Sequence, residues 1–444
     1  MKILISIALT LLTSLIFSQS SMNVSLLHHW DGEWVDTNNA GIKYNEIWGF
    51  VHESKEYAVI GSVNGTHIFL LSDTDGFVEI DFVPGAYQGH VIHRDYHDHD
   101  GYLYAVCDQA PSTLQIIDLH YLPDSVHVVY DSDELINTAH NVFIDSSSDL
   151  MYICNPPGTG MEVYSISNPI SPILVWDHNM FDYIHDVYVR NDSAYLASGL
   201  DGLWIYDFSN PSAPVNLGSL TSYPEQGFNH SGWLSEDGKT YIMADETTGK
   251  KLKVVDVTDL SDINVLSVFG SDSYPETIPH NVMFFNNIAY VSYYNDGLQM
   301  YDISNPANPT RFGWYDTYLG SNDLSFQGAW GIYANLPSGK LLISDRNTGL
   351  YVFKYFNPQG HDEINHGVYP NPATDFIWFY HSFKEKFNYR LRILSMEGKI
   401  VKEVTGMHDH LNIDLRNLAA GMYLYELYSE NPEKKLSGKF VKEE

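Results

Sequence analysis

The stretch IHDVYVRNDSAYLASGLDGLWIYDFSNPSAPVNLGSL, residues 184–220, contains four short apolar runs separated by turn residues. The runs DVYVR, SAYLASG, GLWIYDFS and PVNLGSL alternate apolar and polar residues and are rich in Tyr, Val and Ile, which is typical of strands. Asp201 and Gly202 suit a tight hairpin, and Pro211 and Pro214 form a rigid turn before the last run. The stretch therefore predicts four antiparallel strands.

The same arrangement recurs along the chain. Its anchors stand at the start of each first run, 45, 47, 45, 45, 50 and 50 residues apart, at Trp48, His93, His140, His185, His230, His280 and Trp330. Seven four-stranded units predict an all-β, seven-bladed β-propeller over residues 22–356, because each unit is too short for a sandwich domain. The last unit has only three runs, so we expect MNVSLLHHW, residues 22–30, to supply its fourth strand and close the ring.

Three further segments complete the predicted organisation. Residues 1–18 are a Lys followed by an apolar run and small polar residues, which predicts a secretory signal peptide. A polar linker follows the propeller at 357–367, and short alternating runs with Gly turns at 368–444 predict a small Ig-like β-sandwich. We expect no transmembrane segment in the mature chain.

The net charge of −32 lies almost entirely in the repeat region, since acidic and basic residues nearly balance from residue 362 onward. Such a surface repels nucleic acid, so we expect no nucleic-acid partner, and it favours cations or basic partners. The other interpretation is solubility in a salty exterior.

The two cysteines, Cys107 and Cys154, occupy equivalent positions in adjacent units, where other units place small residues. Equivalent strands of neighbouring blades are too far apart for a disulfide. We therefore expect two free thiols.

The C-terminal segment resembles the sorting domain of the type IX secretion system of Bacteroidetes. The matching motifs are YPNP (369–372), MEGKIV (396–401), LAAGMYLYEL (418–427) and GKFVK (438–442). The resemblance implies transit through the outer membrane, with the secretion machinery as a partner of residues 368–444. It implies a location on the cell surface or outside the cell, and leaves open whether the domain is removed.

The repeats resemble the LVIVD-repeat family, often described as choice-of-anchor B proteins. The matching stretches include TAHNVFID (138–145), IHDVYV (184–189), DGLQMYDISNPANP (296–309) and LPSGKLLISD (336–345). This resemblance implies a propeller and no established reaction.

The histidine anchors are the main candidates for chemistry. In a propeller the first strand of each blade lines the central channel, so the five anchors His93, His140, His185, His230 and His280 are expected at one mouth. Imidazoles there can bind a divalent metal ion such as Zn²⁺, Cu²⁺, Fe²⁺ or Ni²⁺, with His140, His185, His230 and His280 as the metal candidates. The alternative is structural, because a histidine at a strand start can bond the backbone of the neighbouring blade. Trp48 and Trp330 in the same column favour the structural alternative, since tryptophan cannot bind a metal.

Polar residues fifteen positions after the anchors are expected at the same mouth, where the second strands end. They are Asp108, Asn155, Asn295 and Asp345, with Asp245 and the adjacent Glu246 in the fifth unit. The motifs DTDG (73–76) and HDHDG (97–101) lack the full calcium-loop pattern and are predicted to be acidic turns.

Two functions stay open, and enzymatic activity is undecided. The first is an exported binding or interaction module with an unknown extracellular ligand, favoured because no P-loop, G-x-S-x-G or H-E-x-x-H motif occurs. The second is a metal-dependent extracellular hydrolase or lyase, with histidine ligands and Asp245 or Glu246 as general base.

Overall fold

The computed structural model describes residues 21–72, 76–177, 182–271, 273–274, 276–320, 326–355, 366–369, 376–381, 389–396, 398–406, 410–429 and 435–442. The predicted signal peptide (1–18), most of the linker (357–367) and the first three residues of the DTDG turn lie outside the described residues. No helix in the described part of the chain is long and apolar enough to cross a membrane.

Seven antiparallel sheets occupy the described part of residues 21–355, and we number them as blades 1 to 7 in the chain order of their innermost strands. The strands, from innermost to outermost, are Tyr44–His52, Lys55–Ser62, Gly65–Ser72 and Gly76–Pro84 (blade 1); Arg94–His99, Tyr102–Cys107, Leu114–Asp118 and His127–Ser132 (blade 2); Asn141–Asp145, Leu150–Cys154, Met161–Ser165 and Ile173–Trp176 (blade 3); Asp186–Arg190, Ser193–Ala197, Leu203–Asp207 and Val215–Leu220 (blade 4); Asn229–Leu234, Thr240–Asp245, Leu252–Asp256 and Asn264–Phe269 (blade 5); Val282–Phe285, Ile288–Ser292, Leu298–Asp302, Thr310–Tyr315 and Ser21–Met22 (blade 6); and Ala329–Tyr333, Leu341–Asp345, Gly349–Tyr355 and Val24–Trp30 (blade 7).

The blades form a closed ring. Each innermost strand contacts the innermost strand of the next blade, and that of blade 7 contacts that of blade 1. All seven innermost strands line one central cavity, so the channel predicted from the repeats is present. The all-β propeller architecture is confirmed.

The N-terminal segment joins the two ends of the ring. Val24–Trp30 pairs antiparallel with Gly349–Tyr355, from Val24 opposite Tyr355 to Trp30 opposite Leu350. Just before it, Ser21–Met22 pairs with Thr310–Tyr315 at the outer edge of blade 6. The segment therefore covers the outer edges of two neighbouring blades.

Two hairpin glycines show that Val24–Trp30 stands where a fourth strand stands elsewhere. Gly202 in blade 4 has φ +82°, and a Cβ there would lie 2.3 Å from the Leu220 carbonyl oxygen of the fourth strand. Gly349 in blade 7 has φ +98°, and its Cβ would lie 2.1 Å from the Trp30 carbonyl oxygen. In both blades the turn needs a residue without a side chain, because the outer strand approaches it closely.

The hydrophobic core lies between neighbouring blades. One cluster packs Tyr152 and Trp176 of blade 3 against Leu196 and Val189 of blade 4. Burying each such large apolar side chain stabilises the fold by about 1.5–3 kcal/mol. Cys107 and Cys154 are buried and free, as expected.

The C-terminal segment forms two antiparallel sheets. One contains His366–Tyr369, Phe376–His381 and His410–Asp414, and the other contains Ile400–Gly406, Tyr389–Ser395, Gly421–Ser429 and Lys435–Lys442. A single core takes Ile377 and Ile413 from the first sheet and Leu391, Tyr425 and Phe440 from the second. Two sheets that share one core make a small β-sandwich, as predicted.

Candidate ligand site at the mouth of the central channel

Six aromatic side chains, five imidazoles and one indole, form a closed circle inside the channel. We call this circle of six side chains the imidazole ring. The ring centroids are 4.5 Å apart for His93–His140, 4.1 Å for His140–His185, 4.1 Å for His185–His230, 4.2 Å for His230–His280, 4.0 Å for His280–Trp330 and 5.4 Å for Trp330–His93. The five histidines expected at one level are therefore brought together, with Trp330 as a sixth member.

The anchors are held in place by the sheets. The backbone N–H of His140 donates to the Cys154 carbonyl at 2.9 Å, and that of His185 donates to the Ala197 carbonyl at 2.8 Å. Each histidine is thus fixed where its first strand meets the second strand of the same blade. The repeat copies this junction from blade to blade and so brings the imidazoles to one level.

Two imidazoles also bond to the next blade. His185 Nδ1 lies 3.2 Å from the His230 carbonyl oxygen, and His280 Nδ1 lies 2.7 Å from the Trp330 carbonyl oxygen. These bonds are those of the structural interpretation, and they require the proton on Nδ1. The Nε2 atom of each neutral ring is then left as an acceptor or a metal ligand.

The buried histidines are neutral at physiological pH. Burial, reinforced by the neighbouring imidazoles, lowers the pKa of His93 to about 3. The same two causes hold the pKa values of His185, His230 and His280 well below the ordinary range. Neutral imidazole is the form that binds metal ions.

Two carboxylates lie beside the ring. Asp108 Oδ2 is 3.2 Å from His140 Nδ1, and the Glu246 carboxylate lies 3.7 Å from His230 Nε2 and 4.0 Å from His280 Nε2. Glu246 also accepts a hydrogen bond from the Tyr294 hydroxyl.

The pKa values of the two carboxyl groups are shifted in opposite directions. Burial raises the pKa of Glu246. Burial would also raise the pKa of Asp108, but the hydrogen bond and charge of His140 bring it below its ordinary value.

One group at this mouth has the composition of a metal site. One ring nitrogen each of His185 and His230 and one carboxylate oxygen of Glu246 lie within 4.8 Å of one another. Two imidazoles and a carboxylate are ligands that Zn²⁺ accepts while keeping a coordination position open.

Asp245 and Asp345 are not part of the mouth surface, although both were expected there. Asp245 is fully buried, 2.6 Å from Lys253 Nζ, and accepts hydrogen bonds from Tyr223 and the Gly227 backbone. Asp345 is also fully buried and accepts from the Thr317 hydroxyl. Both carboxylates are saturated by the protein, so Asp245 is a poor general base.

Asn295 departs from the expected position because hairpin lengths differ. In blade 6, Asn286 and Asn287 form a two-residue turn with positive φ, and the second strand already ends at Ser292. Asn295 therefore lies in the next turn. In blade 3 the longer turn carries the second strand to Cys154, so Asn155 does stand directly after it.

Trp48 also lies at a different level from the one expected. Its ring centroid is 4.3 Å from that of His97 and 5.0 Å from that of Tyr333, so it belongs to a second aromatic layer. Blade 1 has the same register shift as blade 7, between Tyr44 and Ile47 and between Ala329 and Ile332, so Trp48 aligns with Tyr333 and not with Trp330. Asn45 takes the anchor position there, and a Cβ on Gly61 would lie 1.9 Å from Asn45 Oδ1, so Asn45 is directed toward that second-strand residue.

The sequence expectation does not include a set of polar residues that stand one or two positions after the anchors. They line the central cavity just beyond the imidazole ring, and they are Glu46, Asp95, Asn141, Asp186, Ser231 and Asn281. The available signal is the polar residue after the histidine in HN (140–141), HD (185–186), HS (230–231) and HN (280–281).

Family models match both parts of the chain. The secretion system C-terminal sorting domain model matches residues 367–443, and the LVIVD repeat model matches residues 183–222 and 280–317. No curated protein matches the chain.

Solved structures are similar at low sequence identity. PorZ, an essential bacterial surface component of the type-IX secretion system of Porphyromonas gingivalis, is 11% identical with a TM-score of 0.49, over 93% of this chain and 61% of that chain. The chain thus spans 61% of the length of PorZ. U3-55K is 9% identical with a TM-score of 0.53, over 75% of this chain and 98% of that chain, which shows a likeness of fold alone.

The sorting domain identifies the destination of the protein, which is the cell surface or the extracellular space after type IX secretion. The choice-of-anchor B grouping and the signal peptide stay predictions. The chain is an exported protein that carries LVIVD repeats followed by a secretion system C-terminal sorting domain.

Proposed function

We propose that the protein is an extracellular binding module whose ligand site is the mouth of the propeller channel. The observation that carries this proposal is the convergence of His185, His230 and Glu246 within 4.8 Å beside the imidazole ring. In this proposal residues 22–356 form the binding propeller, and residues 368–444 contact the secretion machinery.

The ligand that we assign to the mouth is a transition-metal ion of the Zn²⁺ type. His185 directs Nδ1 to a backbone carbonyl, which is the usual orientation of a metal-binding histidine and leaves Nε2 for the metal. The acidic composition of the repeat region favours cations at this mouth.

His280 supports the same assignment from the other side of Glu246. Its Nδ1 is directed to the Trp330 carbonyl, while its Nε2 is buried and has no hydrogen-bond partner among the described residues. Since Nε2 lies 4.0 Å from the Glu246 carboxylate, an ion between them would satisfy both groups. An extracellular partner would then bind through the open coordination positions of the metal.

No specific observation favours the metal-dependent hydrolase. Asp245 is neutralised by Lys253, and Glu246 belongs to the proposed ligand set, so neither carboxylate is free to act as a general base. We therefore keep binding as the proposed function.

Zn²⁺ titration calorimetry on the chelator-treated full chain tests the proposal. We expect one site in the wild type, and at least tenfold weaker binding in His230→Gln and Glu246→Gln, because each substitution removes one ligand. The matched control is His99→Gln, since His99 is also a histidine paired with a carboxylate, 2.9 Å from Asp149, but outside the imidazole ring.

The result that contradicts the proposal is a wild type without a Zn²⁺ site, or equal weakening by His99→Gln. Circular dichroism establishes that each variant is folded before it is titrated. A folded Glu246→Gln variant with unchanged Zn²⁺ affinity would also be contradictory.

A further inference from the structure

A second polar layer lies inside the channel beyond the imidazole ring, and we call it the carboxylate chamber. It is a cavity of about 70 Å³, which has room for an ion with bound water. The contributing residues lie one position after the anchor of their blade, or two positions after it for Asp95, and they are Glu46, Asp95, Asn141, Asp186, Ser231 and Asn281.

The chamber has an excess of negative charge. Three of its side chains are carboxylates, and no lysine or arginine is among the described residues that line it. Burial and mutual repulsion raise the pKa of Asp95 to about 7, and burial raises the pKa of Asp186 to about 6. The pKa of Glu46 is raised well above its ordinary value, chiefly by burial and then by the charge of Asp95.

Backbone and amide donors orient these carboxylates without neutralising them. The Val142 N–H donates to Asp95 Oδ2 at 2.7 Å, and the Asn281 side-chain amide donates to Glu46 Oε2 at 2.9 Å. The carboxylates are thus pre-oriented by neutral groups, and a cation is the group that would offset their charge.

His93 supplies an independent observation. The residue is 2% exposed, and its Nε2 lies 2.9 Å from Asn141 Oδ1. Asn141 donates its side-chain N–H to Asp186, which fixes Oδ1 as the acceptor for His93. Nδ1 of the neutral ring is therefore unprotonated and carries a lone pair, and it has no hydrogen-bond partner among the described residues.

The three groups converge. One ring nitrogen of His93 and one carboxylate oxygen each of Glu46 and Asp95 lie within 4.8 Å of one another, and all three residues are buried. Two buried carboxyl groups and an imidazole at such distances form a set of ligands that a metal ion can complete.

Blade 7 makes room for this arrangement. Its residue after the anchor is Gly331, and a Cβ there would lie 1.9 Å from Glu46 Oε1. Any side chain at that position would displace the Glu46 carboxylate.

We propose that the carboxylate chamber binds one divalent cation of the Mn²⁺ type through Glu46, Asp95 and His93. Oxygen donors predominate in the chamber and one imidazole joins them, which suits Mn²⁺ better than the nitrogen-rich mouth does. The proposal does not rest on the function assigned to the mouth, since the ligands are different residues.

Electron paramagnetic resonance of free Mn²⁺, titrated with the chelator-treated full chain, tests the proposal. We expect one Mn²⁺ bound per wild-type chain, and at least tenfold weaker binding in Asp95→Asn and in Gly331→Ala. His230→Gln should bind Mn²⁺ like the wild type, because His230 is a ligand of the proposed Zn²⁺ site only. The experiment therefore tests the Mn²⁺ site independently of the Zn²⁺ site.

The matched control is Asp98→Asn. Asp98 lies on the same innermost strand as Asp95 and accepts a hydrogen bond from Trp48 Nε1 at 2.7 Å, but it does not line the chamber. The control should bind Mn²⁺ like the wild type.

Thermal unfolding keeps the test decisive if a variant binds nothing. Without metal, Asp95→Asn should melt within a few degrees of the wild type, because an amide resembles the protonated acid. With Mn²⁺, the wild type, Asp98→Asn and His230→Gln should gain melting temperature, whereas Asp95→Asn and Gly331→Ala should not. The proposal is overturned if the wild type binds no Mn²⁺, if Asp98→Asn loses binding equally, or if metal-free Asp95→Asn fails to fold.

Discussion

Two buried aspartates of the propeller have opposite electrostatic surroundings. Asp245 ends the second strand of blade 5, is fully buried, and lies 2.6 Å from Lys253 Nζ on the next strand. Asp95 lies on the innermost strand of blade 2, is 8% exposed, and faces the carboxylates of Glu46 and Asp186 across the chamber. Asp245 has the ammonium of a lysine from the same chain as its counter-charge, whereas Asp95 has neutral hydrogen-bond donors and neighbouring carboxylates.

The difference follows from where each residue lies. Within a blade, a neighbouring strand can bring a lysine to the carboxylate, as Lys253 does for Asp245. In the channel the innermost strands of all seven blades meet, and the described lining residues include no basic side chain. A buried carboxylate in the channel must therefore be protonated or receive a cation from solution.

The largest expected effect comes from removing the built-in cation. Lys253→Met leaves Asp245 buried without a counter-charge, so we expect a loss of about 3–5 kcal/mol in the free energy of unfolding. Urea denaturation followed by circular dichroism measures it. The control is Lys239→Met, which removes an exposed pair with Asp237 at 3.9 Å and should cost about 0–1 kcal/mol. Equal losses in both variants would mean that burial does not set the strength of the Lys253 pair.

The second prediction compares the two aspartates directly. Asp245→Asn strands the Lys253 ammonium in a buried site, and we expect a loss of about 3 kcal/mol or more. Asp95→Asn in the presence of EDTA should cost no more than about 1 kcal/mol, because it relieves repulsion while keeping the shape of the side chain. Urea denaturation of both variants in one buffer checks the contrast, which fails if Asp95→Asn is the more destabilising change.

The contrast between these aspartates also shows what the sequence can predict. The repeat spacing and the turn glycines predict the blades, because every repeat carries its own strand and hairpin signals, as at Gly202 and Gly349. The anchor positions predict that His140 and the neighbouring histidines lie at one height in the channel, because each repeat carries its own anchor. By contrast, the Asp245–Lys253 pair joins two strands through a hairpin, so its 2.6 Å contact depends on strand register.

Positions that depend on loop length are predicted less well. Asn295 departs from its expected place because a two-residue turn shortens the hairpin of blade 6, and Trp48 departs because it aligns with Tyr333, three positions after the blade 7 anchor. The carboxylate chamber is missed because its members are spread over more than 200 residues, from Glu46 to Asn281, and each alone reads as an ordinary polar strand residue.

The third prediction concerns pH and the imidazole ring. The pKa of His280 is lowered in the folded protein by burial, so the unfolded chain binds a proton more tightly than the folded one. His280 therefore contributes stability above its ordinary pKa of about 6.5, and this contribution is lost as the pH falls. By pH 5 the loss of stability should reach about 2 kcal/mol if the His280 side chain stays neutral in the folded protein.

His280→Asn isolates that effect, since its side-chain N–H can still donate to the Trp330 carbonyl. The variant should be less stable than the wild type at pH 8 because packing is lost, and the gap should narrow by about 2 kcal/mol at pH 5. Urea denaturation at the two pH values in EDTA measures the gap. A gap that stays constant or widens toward pH 5 would mean that His280 is not held neutral.

The smallest expected effect is at Asp108, which occupies in blade 2 the position of Asp245 in blade 5. Each directly follows a small buried residue of its second strand, Cys107 or Ala244. The Asp108 side chain is 32% exposed and pairs with His140 at 3.2 Å, so solvent weakens the interaction. Asp108→Asn should therefore cost less than about 1 kcal/mol in urea denaturation, against about 3 kcal/mol for Asp245→Asn. The repeat places the same carboxylate at both sites, and only its burial and its cation differ. A loss at Asp108 as large as that at Asp245 would assign the stabilisation to the repeat position itself.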